Sequence, residues 1–419
     1  MKNNKLLLAF AVLGLGFFSA CGNNKSNNSG QENDTKEITY WQHSSVARDD
    51  LIKAIAKDFE DKNPGVKIKL EFIPEADYSQ KLITSLASDS APDVFQVQSG
   101  MIYKLAKAKS IQPLDSSVLS NESIESDFIE ATVKPLNYDG DYYGLPTDTQ
   151  TILSFWNKKL VSDIGKDTEN APTSWEDFFE YAKAMTKNKN GKMVQAGWGT
   201  VGYDREVEAY VLQNGGKLFD DEKQKFVFAD DDNAMKAIKK MASLYRDDKV
   251  YSTDLGATWQ GFRQGLVGEM LGHPAMMGNL PQTAPDLDFG VGLIPAENGE
   301  HLTTLTSWAY TSSKNAPTKL ASQFIEYLSS EEVQKKWTQK TGELPAHKSL
   351  LEDKDLIADP ETAIALESLK NSVSSNLQTG ALNKIWTTQY ERILLSDESV
   401  ETIMKECQDE LNNELEKDL

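Results

Sequence analysis

The sequence has little of the chemistry that enzymes and metal proteins display. Cysteine occurs only as Cys21 and Cys407, and histidine only as His43, His273, His301 and His347. Two cysteines make no disulfide framework, and four scattered histidines offer no metal-ligand spacing. Gly-x-Ser-x-Gly, P-loop and HExxH motifs are missing. Gly290-Val-Gly292 lacks the third glycine of a dinucleotide fingerprint. Asp230 to Asp232 lack the turn glycine and closing glutamate of an EF-hand loop, so they read as helix-capping residues. No cofactor is implied, and an enzyme has little support. Positive charge is also scarce, with 44 Lys and Arg against 64 Asp and Glu, a net charge of −20. That balance argues against nucleic acid and anionic lipid as partners, because both are bound through Lys and Arg. The one long apolar run, Leu6 to Phe18, is short of the ~20 residues that span a bilayer.

That run is part of a leader. Lys2 and Lys5 precede it, and Ser19-Ala20 follow as a small-residue cleavage site. Phe18-Ser-Ala-Cys21 resembles a bacterial lipobox with Phe in the usual place of Leu. Residues 1–20 therefore read as a lipoprotein signal peptide and Cys21 as the lipidation site. Gly22 to Lys36 has no hydrophobic residue and reads as a flexible tether with a reach of about 20 Å. Cys407 shares a helical stripe with Val400, Met404 and Leu411 and reads as a small core residue.

From Glu37 onward the pattern is α/β. Glu37 to Trp41 reads as a strand, and Leu51, Ile52, Ile55 and Phe59 form the buried stripe of a helix that Pro64-Gly65 ends. Val66, Ile68, Leu70 and Phe72 alternate with charged residues as a half-buried strand. Asp77 and Gln80 suggest a capping box, and Asp93 to Val97 a third strand. Such alternation implies a largely parallel sheet, with ligands beyond the carboxyl ends of its strands. Those ends are Trp41-Gln42-His43 and Gln96 to Ser99. Further on, Thr173 and Glu176 suggest another capping box, Asp204 to Asn214 a helix, Leu218 to Phe228 a hairpin, and Ala234 to Tyr245 a helix. Pro360 to Leu419 reads as helical throughout. Trp156, Trp175 and Trp337 sit in regular apolar patterns and read as core. Trp41, Trp198, Trp259, Trp308 and Trp386 fall at strand ends, turns or crossings, with packing and ligand contact both open to them.

The stretch Tyr138 to Leu160 turns at Asp139-Gly140-Asp141, passes Gly144-Leu145-Pro146 and ends as a strand at Trp156-Asn157-Lys158. Together with Phe289 to Pro295 and with Thr303 to Pro345, it resembles the extracellular solute-binding lipoproteins of ABC transporters, of the maltose-binding-protein type (family 1). The resemblance covers nearly all of the chain from Glu37. It implies a periplasmic-binding-protein-like α/β fold: two lobes, each with a mostly parallel sheet flanked by helices, joined by three hinge crossings. The N-terminal lobe would hold 37–147 and 307–346, the C-terminal lobe 152–300 and 353–419, with crossings at 147–152, 300–306 and 346–352.

The resemblance implies a carbohydrate ligand, an oligosaccharide or sugar derivative, captured between the lobes and passed to the membrane subunits of an ABC permease and, through them, its ATPase. It also implies a monomer on the outer face of the cell membrane, held there only by its lipid, as in a Gram-positive bacterium. Rival readings are a non-sugar solute in the same fold or a surface lipoprotein enzyme acting on glycans. A sugar needs aromatic faces for stacking and polar side chains for its hydroxyls. By resemblance the site would draw on Trp41, His43, Gln98, Ser99, Asp148, Gln150, Tyr203, Arg205, Trp259, Trp308 and Glu343. Met276 would stand near the place of a stacking Trp that the family commonly has, leaving Trp386 as the main platform.

Overall fold

The computed structural model describes residues 36–417, apart from 45, 89, 171, 201–202, 253–254 and 378. The leader, Cys21 and the tether to Thr35 lie outside the described residues.

The first sheet grows from the alternating segments near the N-terminus. Strand Lys36–His43 lies parallel between Val66–Ile73 and Val94–Gln98. The long strand Thr303–Ser312 then pairs antiparallel with Val94–Gln98 and with Gly144–Gln150, and parallel with Ser372–Ser374. Helix Val46–Lys62 buries Ile52, Ile55 and Phe59, as its periodicity predicts. These pack with Tyr40, Phe95 and Phe324 into one core. The Phe59 and Phe324 rings sit 5.0 Å apart, within the range where aromatic pairs attract.

The second sheet is ordered Phe289–Leu293, Leu153–Asn157, Val267–Gly272, Lys192–Gly199 and Lys187–Lys189. Only the pair Lys192–Gly199 and Val267–Gly272 is parallel. The expectation of a mostly parallel sheet in each lobe therefore fits the start of the chain and not this second, mixed sheet. The cause is the crossing strand Leu153–Asn157, which enters against both of its neighbours. A second core gathers Trp175, Phe178, Trp198, Trp386 and Tyr390. The last two helices, Gly380–Leu395 and Val400–Glu416, close this core and bury Cys407.

Local signals differ in detail. Asp231 caps helix Asp232–Arg246 by accepting from the Ala234 N–H. Helix Trp175–Met185 is capped by Ser174 rather than Thr173. Helix Glu75–Ala87 starts after Pro74 without a side-chain cap, two residues before the expected Asp77. The C-terminal stretch is interrupted by the strand Ser372–Ser374.

The chain passes from the first sheet to the second between Gln150 and Leu153, and returns between Leu293 and Thr303. These passages are tied together, since Thr303 Oγ1 donates to the Ile152 carbonyl at 3.2 Å and accepts from its N–H at 3.3 Å. The backbones of Thr149 and Leu344 exchange both hydrogen bonds, at 2.8 and 3.1 Å. That pair brings the end of helix Glu331–Thr341 beside the first passage.

Candidate functional site

A cavity of about 1060 Å³ opens where the strand ends of the first sheet face helix Ala275–Thr283 of the second lobe. Its size is at the upper end of ordinary small-molecule sites. His43 enters from the end of the first strand, Gln98 from the third, Gln150 from the end of strand Gly144–Gln150 and Trp308 from the long strand. Glu343 arrives just after helix Glu331–Thr341. That helix ends on Gly342 at φ 75°, a left-handed conformation that suits glycine. A Cβ added to Gly342 would stand 3.8 Å from the Ala275 Cα, so the two lobes approach closely there.

The polar groups form a connected chain. Glu343 accepts hydrogen bonds from Arg48, from Trp337 Nε1 at 2.7 Å and from Gln150 Nε2 at 3.5 Å. Arg48 also reaches His43 Nε2, and its guanidinium lies 6.0 Å from the centre of the Trp337 ring. The Arg48 and Glu343 side chains are only 11% and 6% exposed. A pair so buried does more to fix geometry than to stabilise the fold, because desolvation opposes its attraction. Arg48 only donates, so His43 Nε2 must accept and the neutral imidazole carries its proton on Nδ1. Burial, and after it the Arg48 charge, pushes His43 down to about 4, so the ring is neutral near pH 7. His43 faces Trp308, with centroids 4.4 Å apart.

The second lobe contributes Arg205, Ala275, Met277, Asn279 and Gln282. Arg205 donates to Thr306 Oγ1 at 3.3 Å and also meets His273 Nε2. Burial, then Arg205, holds His273 well below the usual imidazole range.

The structure thus brings His43, Gln98, Gln150, Arg205, Trp308 and Glu343 to one cavity. It puts other expected contributors elsewhere. Trp386 is fully buried, 5.2 Å from the Phe228 ring and stacked on Tyr390 at 6.2 Å, so it is a core residue and not a platform. Met276 also turns into a core, with Leu280 and Phe262, and its neighbours Ala275 and Met277 line the cavity instead. Ser99 is buried, its hydroxyl 2.6 Å from that of Ser307 and donating to the Ser307 carbonyl at 2.9 Å. Trp41 packs on the first core, with the Lys81 ammonium 4.5 Å from its ring centre. Trp259 packs against Gly272. Asp148 is fully buried, and burial pushes it up to about 6 against the opposing Arg48 charge. The Tyr203 side chain lies outside the described residues. Arg48 and the end of helix Glu331–Thr341 escaped the sequence reading. Arg48, in the first turns after the first strand end, was the available signal.

A cleft at the carboxyl ends of sheet strands, walled by two α/β lobes, is the architecture of a solute-binding protein. The sequence profile of the bacterial extracellular solute-binding proteins matches residues 54–364, and the chain belongs to that family. A binding protein of Brucella abortus is 26% identical, over 70% of this chain and 72% of its own. The galactooligosaccharide-binding protein of Bacillus subtilis is 22% identical, over 88% of this chain and 86% of its own. The crystal structure of the cyclic alpha-maltosyl-1,6-maltose binding protein of Arthrobacter globiformis superposes with a TM-score of 0.77 at 19% identity, covering 90% of this chain and 98% of that one. Among the described residues no helix is long and apolar enough to cross a membrane, and no group of three or more His, Cys, Asp or Glu is arranged to hold a metal ion.

Proposed function

We propose that this protein is the receptor of an ABC importer and that it captures a carbohydrate in the cleft between its lobes. The observation that carries the reading is the Trp308 indole on the cavity wall beside the chain His43, Arg48, Glu343 and Gln150. An indole face suits the C–H face of a pyranose, and a row of fixed donors and acceptors suits its hydroxyls. The ligand named for the Bacillus subtilis relative and that of the Arthrobacter globiformis structure are both oligosaccharides, which favours the same class here.

In this reading the lobes are 37–147 with 307–346 and 152–300 with 353–419. Crossings at 147–152, 300–306 and 346–352 serve as hinges, and ligand favours the closed form by touching both lobes. Cys21, lipidated after removal of 1–20, holds a monomer to the outer face of a Gram-positive cell membrane on a tether that ends where the first strand begins at Lys36. The permease subunits then receive the ligand.

A melting-temperature screen over sugars, polyamines, peptides and metal chelates tests the ligand class, because a specific ligand raises the midpoint with its concentration over its affinity. Stabilisation by carbohydrates alone is expected. Stabilisation by another class only, or turnover of a glycan by the purified protein, would overturn the reading.

A further inference from the structure

The space between the lobes is divided in two. Beyond the cavity already described lies a larger groove of about 1750 Å³, walled by Tyr103 and Tyr138 on one side and by Phe219 on the other. At the boundary between them a hydrogen bond crosses from one lobe to the other. Gln98 lines the smaller cavity, while Gly100 and Met101, just after it, line the larger groove. Its side-chain oxygen accepts from the Gly380 N–H at 3.1 Å. Thr379 and Ala381, on either side of Gly380, again line the larger groove. Gly380 is the first residue of helix Gly380–Leu395, where a backbone N–H has no partner within the helix. Gln98 therefore supplies that partner from the opposite lobe.

We infer that Gln98 is a partition that sets ligand length: it ends the smaller cavity and keeps the bound sugar from running on into the groove. This rests on the carbohydrate reading of the cleft. The groove beyond offers its own stacking surface. Tyr103 is 44% exposed, and its ring meets that of Tyr138 edge-on with centroids 5.5 Å apart. Tyrosine faces of this kind suit further sugar rings. The groove stays bridged on its far side, where Lys104 Nζ donates to the Glu414 carbonyl at 3.1 Å and Lys134 pairs with Asp221 at 3.5 Å. These contacts hold the lobes together when the Gln98 side chain is removed.

The test uses the full chain and three proteins: wild type, Gln98→Ala and Gln98→Glu. Gln98→Glu keeps an acceptor for the helix N-terminus, where a carboxylate is also favoured by the helix dipole. Each is titrated by calorimetry with glucose, galactose, mannose and N-acetylglucosamine oligomers, from disaccharide to hexasaccharide. Wild type should favour short members of the series it binds. Gln98→Ala should shift the ratio of hexasaccharide to disaccharide affinity upward by about tenfold, and Gln98→Glu should restore the wild-type ratio. An unchanged ratio in Gln98→Ala, or a wild type that already favours the hexasaccharide, would overturn the partition while leaving the carbohydrate reading intact. A wild type that binds none of the oligomers would overturn the carbohydrate reading and the partition with it.

Discussion

The imidazole of His43 and the indole of Trp308 lie with ring centroids 4.4 Å apart and planes 35° from parallel. One ring ends the first strand and the other sits midway along the long strand that returns from the second lobe. Both line the cavity. His43 is held from behind by Arg48, so the pair presents Trp308 in a fixed orientation. Replacing Trp308 by Ala is expected to cost about 2 kcal/mol or more of sugar binding, near thirtyfold. His43→Ala should cost less, because it removes the support and leaves the platform. Calorimetric affinities of the two variants check this ranking, and equal affinity of wild type and Trp308→Ala would remove the indole from the site.

Arg48 and Glu343 are joined across 295 positions of the chain. Glu343→Gln keeps the shape and removes the charge, leaving a nearly buried guanidinium unpaired. A loss of about 3–5 kcal/mol of folding stability is expected. Adding Arg48→Met should recover much of it, since the orphaned charge then disappears. Denaturant melts of both single variants and the double variant measure the coupling. Additive losses would show that the two side chains do not depend on each other.

Trp386 makes the opposite case. It is packed between Phe228 and Tyr390 with no exposed surface. Trp386→Ala should cost about 3–5 kcal/mol of stability and leave the affinity of the folded fraction unchanged. A weakened affinity without a drop in melting temperature would contradict its place in the core.

These residues also show how far the sequence could be read. Alternation marked Val66 to Phe72, and helical spacing marked Ala234 to Tyr245, because each needs only local neighbours. The cavity needs partners far apart in sequence, so Arg48 and Glu343 could not be paired in advance. Met276 shows a finer failure. One residue along a helix turns the side chain by about 100°, enough to exchange the core for the cleft, and Met277 took the place expected of its neighbour. Trp386 is followed by the polar residues Thr387, Thr388 and Gln389. Its helix is covered on more than one side, by helix Val400–Glu416 and by helix Asp232–Arg246, so a polar neighbour in sequence did not mean an open face.

The lipid anchor rests on Phe18 to Cys21 alone. Cys21→Ser should move the protein from the membrane fraction to the medium with an unchanged melting temperature, because the described fold begins at Lys36. Retention of that variant in membranes would count against lipidation.

The last expectation concerns acidity. His43 is pushed down to about 4 by burial and then by Arg48, with Asp49 opposing. A depressed imidazole contributes stability that is complete above its ordinary value near 6.5, is lost as pH falls, and is gone below about 4. Asp148 is pushed up to about 6 by burial, with Arg48 opposing. A raised carboxyl contributes stability that is complete below its ordinary value of 3.8 and is lost as pH rises to about 6. Between about 4 and 6 the two slopes therefore oppose each other, each worth about 3 kcal/mol over its full range. Asp148→Asn removes the falling slope, so relative to wild type its stability should climb with pH through this window. His43→Gln should do the reverse. Carboxylates elsewhere titrate alike in all three proteins and cancel in the differences. Urea melts at half-unit pH steps give the curves, and parallel profiles for wild type and Asp148→Asn would mean that Asp148 does not titrate in this window.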